Sequence, residues 1–157
     1  MTETTNGQDE QRDAFIRWVR EQHSQMGQYA AGRGLIGEDA EGRPIWSIPH
    51  QVYLGRFYDK AEPDAGYWYI AGDLPSDHVP ASVAETAREA VRHFALKWQL
   101  QAAQIEQGKG GEDGPVVDFA NAAGNLSRSA EALLACVDND ALWEGVVNDP
   151  SPGAETT

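Results

Sequence analysis

Cysteine is nearly missing from this sequence: Cys136 is the single thiol in 157 residues. One thiol closes no intrachain disulfide, so a packed core must hold the fold, and a reducing, cytoplasmic setting is expected. Long apolar runs are missing too. Nothing approaches the roughly 18 consecutive apolar residues of a membrane span. Residues 1–10 are polar and hold no apolar stretch that would serve as a signal peptide. Basic charge is scarce: 12 Lys and Arg stand against 25 Asp and Glu, for a net charge of −13. That surplus repels phosphate backbones and anionic lipid, so neither nucleic acid nor a membrane surface is an expected partner. A basic protein is the partner such a charge favours, beside the plainer role of keeping the chain in solution.

What is present suits one domain. The length is that of a single unit, and such a unit buries about two-thirds of its unfolded surface. Five Trp, five Tyr and four Phe supply bulky core material. The domain is expected over residues 9–149, with disordered tails at 1–8 and 150–157, both polar and terminal.

A first helix is predicted over residues 9–28, because Phe15, Trp18, Val19, Gln22 and Met26 recur at steps of three and four. Residues 32–43, rich in glycine and charge, read as a loop. Two or three strands follow, at 45–48, 51–58 and 66–72, rich in β-branched and aromatic residues. Pro49 separates the first two, as a bend or an edge position. Alternation sets Tyr53 and Phe57 on one face of the second strand, and Val52 and Leu54 on the other. The second and third strands form a hairpin across the turn chemistry of Pro63-Asp64 and Gly66.

A second helix is expected behind a capping box of Ser82 and Glu85. Its stripe is Val83, Ala87, Ala90, Val91, Phe94, Trp98, Ala102 and Ile105. Leu96 and Leu100 lie four apart on a different face, which implies a further helix or a second subunit against them. A third helix is expected from Asp113-Gly114-Pro115, with Val116, Phe119, Ala123, Leu126, Ala130, Leu133 and Val137 in its seam. Asp140 caps a short last helix bearing Leu142, Trp143 and Val146.

Few strings suggest chemistry. Gly32-Arg33-Gly34-Leu35-Ile36-Gly37 matches the dinucleotide fingerprint only as letters: the mechanism needs a strand before it and a helix N-terminus after it, and here a helix precedes and a charged loop follows. Asp73, Asp77 and His78 bring two carboxylates and an imidazole within six residues, the composition of a cation site or an acid/base pair. The competing reading has the aspartates bonding backbone N–H groups in turns, with Pro75 fixing the corner. His23, His50 and His93 have no sequence-local partner that would activate them. Cys136 has no basic neighbour and reads as a small core residue. Trp46, Tyr53, Phe57, Tyr67, Trp68 and Tyr69 crowd the sheet. Either both sheet faces are covered, or an aromatic surface is left for a partner.

The run Tyr67-Trp68-Tyr69-Ile70-Ala71-Gly72-Asp73-Leu74-Pro75-Ser76-Asp77-His78, with Ala95-Leu96-Lys97-Trp98-Gln99-Leu100 in the helix after it, resembles an uncharacterised bacterial domain family. In that family, a domain of unknown function, an aromatic strand ends in Gly-Asp-Leu-Pro-Thr/Ser-Asp before a long helix. His78 stands where the family has an aromatic. The resemblance covers roughly residues 15–143, implies a domain boundary, and carries no activity.

The expected fold is therefore α+β, a small antiparallel sheet (a hairpin plus a third strand) packed against three main helices. The leading functional expectation is a non-enzymatic, acidic protein-binding module, regulatory or immunity-type, with no cofactor and no metal. Its candidate interface is Tyr67, Trp68, Tyr69, Leu96 and Leu100, and its candidate ligand or partner loop is Asp73, Asp77 and His78. The alternative is a metal-dependent or acid/base hydrolase-like enzyme using that loop. A third reading is homo-oligomerisation through Leu96 and Leu100.

Overall fold

The computed structural model describes residues 2–106 and 122–146. Among them, four strands form one antiparallel sheet in the order β1-β2-β3-β4, a simple meander: β1 Ala40–Ile48, β2 Val52–Asp59, β3 Tyr67–Gly72 and β4 Asp77–Pro80. Helix α1, Thr2–Gly32, covers one face, while α2, Ala87–Glu106, and α3, Ala122–Val137, cover the other. The α+β class expected from the sequence is what the structure shows, with one strand more than expected. The start expected for the third helix near Asp113, with Val116 and Phe119 in its seam, and the tail at 150–157 lie outside the described residues.

The alternation in β2 divides the core. Val52 and Leu54 face α2 and α3 with Trp68, Ile70, Phe94, Trp98, Leu126 and Leu133. Tyr53 and Phe57 face α1 with Tyr69, Met26 and Ala30. The hairpin of β2 and β3 pairs from Val52↔Gly72 to Phe57↔Tyr67. Of the two positions expected for Pro49, the bend is the one observed: it is the corner of a second hairpin. Gln51 N–H donates to Ile48 O at 3.0 Å and His50 takes φ 62°. Proline followed by a positive φ is the signature of a type II turn.

Several boundaries differ from expectation. α1 begins at Thr2 and runs to Gly32, so residues 2–8, expected as a tail, are helical. None of residues 7–21 is buried; burial begins at Gln22 and continues at Met26 and Ala30. The apolar stripe therefore marks where α1 packs, not where it starts. β1 begins at Ala40, inside the stretch expected as loop, because pairing with Asp59, Tyr58 and Phe57 of β2 supplies what local propensity does not. The capping box is Thr86 and Glu89. Glu89 N–H donates to Thr86 Oγ1 at 3.1 Å, and Glu89 Oε2 accepts from Glu85 N–H at 3.0 Å. The earlier box of Ser82 and Glu85 is occupied by a 3-10 turn, Ala81–Val83. At the far end, Asn139 rather than Asp140 caps the 3-10 turn Asp140–Trp143 by accepting from Ala141 N–H.

That last turn is pinned to the sheet. Trp143 stacks on Trp46 with ring centroids 4.2 Å apart, and Trp46 Nε1–H donates to Leu142 O. Arg88 ties the start of α2 to the end of α3 by donating to Val137 O and pairing with Asp140.

Candidate functional site

The segment from Gly72 to His78 becomes the end of β3, a short connection and the start of β4, the strand that sequence reasoning missed. Neighbouring residues of a strand point to opposite faces, and this separates the expected trio. Asp77 turns toward α2, and is only 3% exposed. His78 turns toward α1, where its Nδ1 and the Tyr29 hydroxyl are 2.7 Å apart and its ring lies edge-on between Tyr29 and Tyr67. Asp73 remains exposed in the connection, its backbone N–H held by Gln51 O at 2.9 Å. The three side chains point apart, so the acid/base or cation trio is not assembled. Among the described residues, no group of three or more His, Cys, Asp or Glu side chains is placed to hold a metal ion.

Asp77 has a full set of partners. Its carboxylate accepts from Trp98 Nε1–H at 2.9 Å, from Lys97 Nζ at 3.0 Å and from His78 N–H at 2.8 Å. The last bond matters for the sheet. Ala81 N–H donates to Gly66 O in the register of Tyr67↔Pro80, so His78 and Pro80 aim their backbone groups at the free edge. The His78 N–H is taken by Asp77, the His78 carbonyl accepts from Lys97 Nζ at 3.5 Å, and Pro80 has no N–H. The opposite edge is blunted in the same way. Lys60 N–H donates to Asp39 O, which leaves Ala40, Gly42 and Pro44 of β1 facing outward, and Pro44 also lacks a donor. Edges built so resist pairing with another strand.

Burial lowers the pKa of His78, with Lys97 and Arg33 acting in the same direction and Asp77 against them. The Tyr29 hydroxyl is pushed up by burial, and Arg33 stacks over its ring at 4.2 Å. The cluster of Tyr29, Arg33 and His78 had no sequence signature, because 49 residues separate its ends. Lys97 and Trp98 were legible as helix residues but not as partners of Asp77.

Of the candidate interface residues, Trp68 and Tyr69 lie in the core. The Trp68 indole donates to Ala84 O, and Tyr69 packs under α1. Tyr67 is half-buried and stacked on Phe57. The aromatic sheet face is thus covered by α1. Leu96 and Leu100 are different: they are 49% and 61% exposed, one turn apart on the outer face of α2. The remaining singled-out residues have local roles. His23 lies 3.3 Å from the Tyr53 hydroxyl, which burial pushes up strongly. His50 occupies the hairpin turn and touches Trp18. Burial raises the Cys136 thiol, the opposite of an activated nucleophile. The glycine string follows α1 and leads into β1, so it offers no helix N-terminus to a pyrophosphate. No helix among the described residues is long and apolar enough to cross a membrane.

The family model for a domain of unknown function (DUF4826) matches residues 10–143. No curated protein matches the chain, and no solved structure does.

Proposed function

The chain belongs to that family, and from this premise we propose a non-enzymatic protein-binding module, regulatory or immunity-type, working in the cytoplasm. The observation that carries the reading is the pair Leu96 and Leu100. Two leucines a single turn apart, half or more exposed on a helix whose inner side is fully packed, make a ready contact surface for another protein. Charge supports a basic partner. The register of β1 on β2 gathers Glu38, Asp39, Asp59, Glu62 and Asp64, all exposed, at one end of the sheet, offset there by Lys60. Such a field speeds encounter more than it tightens the final complex. With both sheet edges blunted, contact through a helix face is favoured over strand addition.

The test is capture from the native host at low salt, comparing the wild-type chain with Leu96→Glu/Leu100→Glu. The expected result is a protein retained by the wild type, lost from the double variant, and eluted by moderate salt. Equal retention by both chains, or no retained protein at all, overturns the reading.

A further inference from the structure

The surface between the end of β3 and α3 is a groove of about 570 Å³, lined by Gly72, Asp73, Leu74 and Pro75 on one side and by Asn125, Arg128, Ser129 and Ala132 on the other. Its volume falls in the range of small-molecule sites. Both walls are fixed by the fold. Gly72 takes φ +116°, and a Cβ there would lie 2.5 Å from Gln51 O, so only glycine ends β3 this way. The adjoining Asp73 N–H is bound to Gln51 O, which holds the connection while its carboxylate stays exposed. On α3, Asn125, Arg128, Ser129 and Ala132 form one stripe, Arg128 three residues and Ser129 four residues after Asn125. Arg128 leans on Asn125 Oδ1 within the helix.

Asp73 and Arg128 therefore line the same groove with opposite charges. Among the described residues they form no ion pair with each other. A carboxylate and a guanidinium lining one groove match a molecule whose own charges are reversed. We infer that this groove binds a small zwitterion of the amino-acid or dipeptide class, its ammonium group on Asp73 and its carboxylate on Arg128. The planar guanidinium suits a carboxylate through two parallel hydrogen bonds, and the Ser129 hydroxyl and Asn125 amide supply further bonding groups beside it. Leu74, Pro75 and Ala132 add apolar lining for a side chain. This surface is separate from the α2 leucines, so the binding of a protein and of a zwitterion stand or fall independently.

The probes are the twenty free α-amino acids and a panel of dipeptides, each titrated into the isotopically labelled full chain and followed by NMR. At least one is expected to bind saturably, shifting the resonances of Asp73, Arg128 and Ser129. Its N-acetylated form and its C-terminal amide should each bind about tenfold more weakly or worse, since each loses one charge-assisted contact. Asp73→Ala and Arg128→Ala should abolish binding with melting temperatures unchanged, and Arg128→Lys should restore part of it. The inference is overturned if no probe saturates by about 10 mM, if the blocked forms bind as well as the free one, or if both alanine variants bind like the wild type.

Discussion

Asp77 and Lys97 meet at 3.0 Å on the edge of β4, with the Asp77 carboxylate also holding the Trp98 indole and the His78 amide. Both partners are withdrawn from water, Asp77 almost wholly and Lys97 largely. Asp77→Ala removes the acceptor of three donors and leaves a partly buried ammonium without its carboxylate. Breaking such a pair from one side costs about 3–5 kcal/mol. Asp77→Asn keeps an acceptor and the shape, so a smaller loss is expected, of about 1–3 kcal/mol. Urea unfolding of the three chains measures both. Near-equal stability of wild type and Asp77→Ala would remove the edge-closing role assigned to this residue.

The depressed pKa of His78 has a consequence for pH. Its folded-state value lies below that of the unfolded chain, because burial disfavours the charged ring. The unfolded chain therefore binds the proton first. The stability contributed by neutral His78 is fully present above the unfolded value of about 6.5, and falls as pH drops through that value toward the folded one. Unfolding curves at pH 7.5 and at pH 5.5 are expected to differ less for His78→Gln than for the wild type. A pH response identical in the two chains would show that another group governs it.

Pro44 carries a prediction about association. Its place on the outward row of β1 removes one donor from a nine-residue edge strand. Pro44→Val restores that donor and raises β-propensity together. The variant is expected to associate on warming, seen as light scattering at temperatures where the wild-type chain stays clear. A variant as clear as the wild type would mean that the bulge between Pro44 and Trp46 protects the edge unaided.

Gly27 lies inside α1 beside a cavity of about 110 Å³ also lined by His23, Met26, Ile36 and Phe57. A Cβ placed there meets nothing within 4 Å. Alanine should thus bring its better helix propensity without a clash, and a gain of about 0.5–1 kcal/mol is expected in the denaturant midpoint. A loss would indicate that the cavity tolerates no further atoms.

How much of this was legible depended on length and period. β2 declared itself, because Val52 and Leu54 alternate with Tyr53 and Phe57 between two buried faces, and only Arg56 brings charge into the run. β4 did not. It has four residues, two of them Asp77 and Pro80, which propensity assigns to turns. Missing that strand made Asp77 and His78 look convergent, when the strand period sends them to opposite sides of the sheet. The start of α2 was ambiguous for another reason. Ser82-Val83-Ala84-Glu85 and Thr86-Ala87-Arg88-Glu89 both spell a capping box, and only the turn over Ala81–Val83 decides between them. In the described part of helix α3 the expected seam is legible, with Leu126, Ala130, Leu133 and Val137 buried and Ala123 partly so. The Asp73–Arg128 groove pairs a turn residue with a helix residue far along the chain, a relation that no local pattern encodes.

None of residues 7–17 of α1 is buried, yet these turns continue without a break into the ones that grip the sheet, where Trp18 and Val19 pack beside Met26 and Ala30. Residues 2–17 thus act as a stiff mast of about 24 Å. A fluorescent protein grafted onto its tip would ride with the body at a fixed bearing, turning this helix into a ready-made handle for polarisation or energy-transfer measurements.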